Sequence, residues 1–161
     1  MNAARDISRF GKARQLCWHK GFAAAGNGLG GASTWEPVFV IDPPKKGLPN
    51  DYLDFKTERV ELEGKSLKEH HPCPKPVALF VHLIESLTKR SNAIYEPFSG
   101  SGTTLIAGET VGRPVMAMEI DPAYVDVAVI RWQNFTGQDA IRESDGKRFS
   151  DLYKAPLEEA A

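Results

Sequence analysis

The sequence predicts an α/β fold built on half of a doubly wound sheet, and three observations carry that expectation. Residues 76–136 alternate helical and strand-like apolar patterns, ending with strand, helix, strand, helix in order. The turn between the first of those strands and its helix is the glycine-rich FSGSG of residues 98–102. Proline or glycine marks most of the element boundaries, as helix starts and stops require.

In PVALFVHLIESLTK, residues 76–89, Val77, Phe80, Val81, Ile84 and Leu87 recur at three- and four-residue intervals, the period of an amphipathic helix. NAIYEP then reads as a short strand, FSGSG as a turn, and TTLIAGETV as a helix stopped by Gly112. RPVMAMEI supplies a second strand and DPAYVDVAVIRWQNF a second helix, with Asp121 as its cap and Pro122 at the first helical position. Such an order implies parallel strands joined by right-handed crossovers. Upstream, WEPVFVIDPP reads as one buried strand closed by Pro43 and Pro44, which cannot continue a ladder. GFAAAGNGLGG, residues 21–31, reads as a loop, residues 45–70 hold at most a short edge strand, and DGKRF near Asp145 reads as a hairpin turn.

The 161 residues carry 20 basic and 21 acidic side chains, a net charge of −1, so no overall field draws the chain to nucleic acid or anionic lipid. Arg5, Arg9, Lys12, Arg14 and Lys20 nevertheless face only Asp6 within residues 1–30. Residues 1–34 are therefore expected to form a flexible basic region, with residues 35–155 as the folded part and residues 156–161 as a disordered tail. Two cysteines make no disulfide framework, and no apolar run is long enough to span a bilayer, so a cytoplasmic location without a membrane partner is expected. Cys17-x-His19 and His70-His71-x-Cys73 lack the tight paired spacing of a zinc site, and no metal is expected.

A glycine-rich turn between strand and helix is a usual place for a nucleotide, because free helix N–H groups favour negative charge. A P-loop needs lysine before its Ser or Thr, and the dinucleotide fingerprint needs a third glycine where Leu105 stands. Neither fits. A nucleoside held by carboxylates at adjacent strand ends does: Glu119 follows Glu96 by roughly 20 residues, the separation expected of an acid that hydrogen-bonds a ribose diol.

These residues resemble a known family. HPCPKPVALFVHLI (71–84), IYEPFSGSGTTLIAGETVGRPVMAMEIDPAYVDVA (94–128) and RWQNFTGQDA (131–140) are similar to the C-terminal half of the S-adenosyl-L-methionine-dependent DNA amino-methyltransferases that modify adenine N6 or cytosine N4. WEPVFV resembles the Trp-Glu-Pro strand of many members. The resemblance implies a Rossmann-like methyltransferase fold, S-adenosylmethionine as cofactor and double-stranded DNA as substrate. It implies cofactor-binding roles for Lys75, Glu96, Phe98, Ser99, Gly100, Ser101, Gly102, Thr103, Thr104 and Glu119, with Glu96 standing where the family has aspartate. Tyr124, after Glu119, is placed near the adenine ring or in the core.

The family's catalytic motif, a polar residue followed by Pro-Pro and an aromatic, holds the target amine and stacks on a flipped base. The single Pro-Pro here is Asp42-Pro43-Pro44, with Lys45 in the aromatic position, downstream of the Trp-Glu-Pro strand instead of upstream. It is read as a strand followed by a proline turn, and the catalytic residues stay unassigned. The fold is accordingly expected to be incomplete. Three readings follow: a methyltransferase that works alone, a cofactor-binding part needing a complementary polypeptide with the catalytic motif, or a non-catalytic remnant that binds cofactor or DNA.

Overall fold

A computed structural model describes residues 10–24, 33–45, 50–56, 61–62, 65–66 and 75–153. The first unit is a three-stranded sheet of order β2-β1-β3, formed by β1 (Ala13–Ala24), β2 (Ser33–Ile41) and β3 (Tyr52–Asp54). β1 pairs antiparallel with β2 and parallel with β3. β4 (Glu61–Leu62) and β5 (Lys65–Ser66) make a separate antiparallel pair. There follow α1 (Val77–Leu87), β6 (Ile94–Glu96), α2 (Thr103–Val111), β7 (Val115–Ala117), α3 (Pro122–Thr136) and the single turn α4 (Phe149–Leu152). β6 and β7 are parallel with Tyr95 opposite Met116, as a strand-helix-strand crossover requires.

β1 lies inside the stretch expected to be a flexible basic arm, and this is the main departure from the sequence reading. Leu16, Trp18 and Lys20 alternate into the interior, the period of a half-buried strand. Lys20 hid that pattern, because an inward lysine reads as part of a solvated charge run until its acid partner is known. Its ammonium lies 3.3 Å from Glu36 on β2. Gly21–Ala24, read as the start of a loop, continue β1, while residues 25–31 of that loop lie outside the described residues. So do Arg5, Arg9, His70, His71, Cys73 and the tail from residue 154.

Leu16, Trp18, Val40, Leu53 and Leu79 form one core, in which Phe80, Leu83 and Leu87 of α1 pack against the three-stranded sheet. The Trp18 indole N–H donates to the Phe55 carbonyl at 2.7 Å, which ties β3 to the same core. On its other side α1 packs on α2. Val127 and Ile130 of α3 pack with Phe149 and Tyr153 in a smaller cluster. Arg142 pairs with Asp145 in the predicted turn, which an isolated bridge between Ile141 and Arg148 closes. Among the described residues no helix is long and apolar enough to cross a membrane.

Among the described residues the β6–β7 pair is covered on one face only. Val115 points at α2, where Gly108 leaves room for it: a side chain at Gly108 would collide with the Val115 methyls and approach the Arg113 carbonyl to 3.0 Å. On the opposite face Tyr95, Met116 and Met118 are exposed, with the Tyr95 hydroxyl against the Met118 sulfur. Parallel strands normally bury both faces, so this surface has the composition of a core without a second layer.

Gly108→Ala tests the close approach of α2 to β7. Helix propensity alone favours alanine by about 1 kcal/mol, but overpacking costs about 1–3 kcal/mol. Urea unfolding should therefore show the variant to be less stable than the wild type, and a gain in stability would contradict this packing.

Candidate functional site

Pro97 ends β6, and the chain turns through residues 98–102 into α2. Backbone bonds continue the β6–β7 ladder into this turn, with Met118 donating to Glu96 O at 2.8 Å and Ser99 to Met118 O at 2.9 Å. Both loop glycines adopt left-handed φ, 51° at Gly100 and 77° at Gly102, where a side chain is strained. Gly102 has a second reason: a Cβ there would lie 2.9 Å from the Cβ of Ala128 on α3.

Two carboxylates fasten the loop. Glu96 accepts the Phe98 N–H on Oε1 and the Thr104 hydroxyl on Oε2, each at 2.9 Å. Glu119, just after β7, accepts the Gly100 N–H on Oε2 at 2.7 Å, and on Oε1 the N–H groups of Ile120 at 2.9 Å and Asp121 at 3.0 Å. Asp121 in turn caps α3 through the Ala123 N–H at 2.9 Å, as its sequence position predicts. Charge-assisted bonds of this kind are the stronger class, so the loop has a fixed shape without a side-chain cap on α2.

Arg131 of α3 supports the loop from below. It is buried, and its guanidinium donates to Ser101 O and to Thr103 Oγ1, both at 3.1 Å. Burial pushes its pKa down from the ordinary value, yet an arginine keeps its charge in proteins. A fixed cation thus sits under the open N-terminus of α2, and both favour negative charge at the loop. The Thr103 hydroxyl also donates to the Lys75 carbonyl at 3.3 Å. The Lys75 ammonium itself lies 2.5 Å from Glu36 and 5.1 Å from the centre of the Trp18 ring, so Lys75 meets the loop with its main chain. Burial alone would raise the Glu36 carboxyl, but the hydrogen bonds and charges of Lys75 and Lys20 outweigh it and hold the group below its usual range.

The structure therefore gathers Lys75, Glu96, Ser99, Gly100, Ser101, Gly102, Thr103, Thr104 and Glu119 around one turn. Phe98 begins the loop with its ring 85% exposed, and Ile120, next to Glu119, is 97% exposed. The buried Ser99 Oγ has no hydrogen-bond partner among the described residues, although such groups are normally satisfied. A cavity of about 310 Å³ beside it is lined by Ser99, Leu105, Ala117, Glu119 and Val129 among others. An unsatisfied hydroxyl, two exposed apolar side chains and a strand-end carboxylate suit a nucleoside with a polar chain. Arg131, Glu36 and Ile120 were not assigned from the sequence, although all three lie in or beside its quoted motifs.

Asp42 is engaged elsewhere. It follows the last residue of β2 with φ 48°, its N–H donates to the Lys12 carbonyl at 2.6 Å, and its carboxylate accepts the Lys12 N–H at 2.9 Å. It closes the open end of the β1–β2 hairpin, which agrees with a strand followed by a proline turn. His19 likewise lies 3.1 Å from Asp54 and stacks on Tyr52.

A family model described as DNA methylase matches residues 11–130. The chain belongs to the DNA methylase family. It is 36% identical over 66 residues to the type II methyltransferase M2.MboI of Moraxella bovis, covering 41% of this chain and 24% of that protein. Its fold matches the PvuII DNA methyltransferase (cytosine-N4-specific) with a TM-score of 0.61 at 18% identity, over 74% of this chain and 50% of that one. It also matches M1.HpyAVI, solved as a complex with SAM, with a TM-score of 0.55 at 23% identity, over 73% of this chain and 60% of that one. The chain thus spans about half of each solved methyltransferase and a quarter of the curated relative. The Rossmann-like methyltransferase fold expected from the sequence is present in part, in the portion that holds β6, α2, β7 and α3.

Loss of the Glu96 fastening should register as stability. Glu96→Ala takes the acceptor from the buried Thr104 hydroxyl and should lower unfolding free energy by about 1–3 kcal/mol. Glu96→Gln should cost less, since a rotated Thr104 hydroxyl can accept from the amide. Equal stability of Glu96→Ala and wild type in urea would show that the loop does not depend on this carboxylate.

Proposed function

We propose that this chain is the cofactor-binding part of an S-adenosylmethionine-dependent DNA methyltransferase acting on an exocyclic amine, adenine N6 or cytosine N4. The observation that carries the reading is the pair of strand-end carboxylates on one glycine loop in a chain of the DNA methylase family, Glu96 holding its two flanks at Phe98 and Thr104 and Glu119 its middle at Gly100. When bound, the cofactor supplies an activated methyl group, because its sulfonium sulfur leaves as a neutral thioether.

The chain's own residues bind and orient. Glu119 would accept from the ribose diol with the acceptor capacity that its three N–H bonds leave unused. Phe98 and Ile120 would cover the apolar faces of the nucleoside, and Ser99 would satisfy its hydroxyl on the ligand. The N-terminus of α2, with Arg131 beneath it, would favour the carboxylate of the methionine moiety. Such preorganisation lowers the entropy cost of in-line transfer.

In this proposal double-stranded DNA is the substrate, and a complementary polypeptide supplies the catalytic Pro-Pro-aromatic motif. The commitment of Asp42 to the hairpin and the bare Tyr95–Met116–Met118 face of β6–β7 support that division. An apolar second layer, contributed by the partner, would complete the sheet.

Glu119→Ala should weaken S-adenosylmethionine binding in equilibrium dialysis on the order of tenfold or more, the worth of a charge-assisted contact, while circular dichroism stays unchanged. Equal affinity in the folded variant would remove Glu119 from the site. In a tritiated methyl-transfer assay on DNA, the chain alone should give background counts, and Asp42→Ala should leave them there. Turnover by the chain alone, abolished by Asp42→Ala, would overturn the split reading and make Asp42-Pro43-Pro44 the catalytic motif.

A further inference from the structure

We propose that Glu36 is a positioning residue for the cofactor loop, acting from the other sheet through Lys75; the inference rests on the cofactor reading above. Lys75 is a strut with two anchored ends. Its ammonium is held by Glu36 at 2.5 Å and lies over the Trp18 ring, while its carbonyl accepts the Thr103 hydroxyl at 3.3 Å. Pro76 follows it and restricts the Lys75 backbone to extended conformations, so an anchored ammonium leaves the carbonyl little freedom. Thr103 opens α2, and its oxygen accepts from the buried Arg131 at 3.1 Å while its proton points to Lys75. The hydrogen bonds therefore run in one direction, from Arg131 through Thr103 to the Lys75 carbonyl, and the second end of that line is set by Glu36.

Glu36 also separates like charges. Lys20, with its side chain 7% exposed, reaches the other carboxylate oxygen at 3.3 Å. Without the anion the two ammonium groups share one poorly hydrated space, and Lys75, the more exposed of the two, is the one that moves away from Trp18. That motion withdraws the acceptor of Thr103 and loosens the first turn of α2.

The test uses the full chain and two readouts. Glu36→Gln should weaken S-adenosylmethionine binding about five- to tenfold by calorimetry, with Thr103→Val similar and the double variant no weaker than the weaker single, as for residues acting in one line. Without ligand, Glu36→Gln should exchange the Ile106 amide faster, the bond to Gly102 O that closes the first turn of α2. A folded Glu36→Gln with wild-type affinity and exchange, or multiplicative losses in the double variant, would overturn the proposal. If Glu36→Gln does not fold, Lys20→Met/Glu36→Gln removes one cation with the anion and must still exchange Ile106 faster than the wild type, because the Lys75 ammonium has lost its anchoring charge. If the wild type binds nothing, the cofactor reading falls by itself, and Ile106 exchange still decides whether Glu36 positions the loop.

Discussion

Everything at the candidate site depends on one constraint: the backbone amides of a tight glycine loop need acceptors, and carboxylates at the ends of two neighbouring strands supply them. An amide left unmet away from water costs about as much as a lost hydrogen bond, and this loop has no side-chain cap to fall back on. Glu96 takes Phe98 and Thr104, and Glu119 takes Gly100, Ile120 and Asp121. The strand register places both acids, because Glu96 is opposite Ala117 and Glu119 follows it by two residues. Each of these carboxylates is a structural group of the loop, whose shape is set by the chain's own hydrogen bonds.

That arrangement explains why the second half of the chain was legible in its sequence. Helix periods, the Asp121 cap, Pro122 and the stop at Gly112 are local signals, and local hydrogen bonds decide them. The loop was legible as a turn because two glycines between a strand and a helix mark positions of positive φ. β1 was not, since its pattern depends on Lys20 being buried, and that depends on Glu36 across the hairpin. Arg131 escaped for the same reason: nothing near it in sequence says that a helical arginine will end under the carbonyl of Ser101. Contacts between distant residues set these positions, and periodicity carries no record of them.

The two halves of the structure meet through α1 and through Lys75. α1 shares its core with the three-stranded sheet on one side and packs against α2 on the other. Lys75, at its start, joins Glu36 to Thr103. The helices that follow lie against one side of the β6–β7 pair, and Tyr95, Met116 and Met118 face outward on the other. The chain spans half of its solved relative and leaves this core-like sheet face exposed.

The central claim is that the fastened loop is a cofactor site in this chain as it stands. Calorimetric titration of the full chain with S-adenosylmethionine, with circular dichroism on the same sample, tests it most directly. Saturable binding at one site per folded chain is the predicted result. A folded chain that takes up no cofactor would contradict the account.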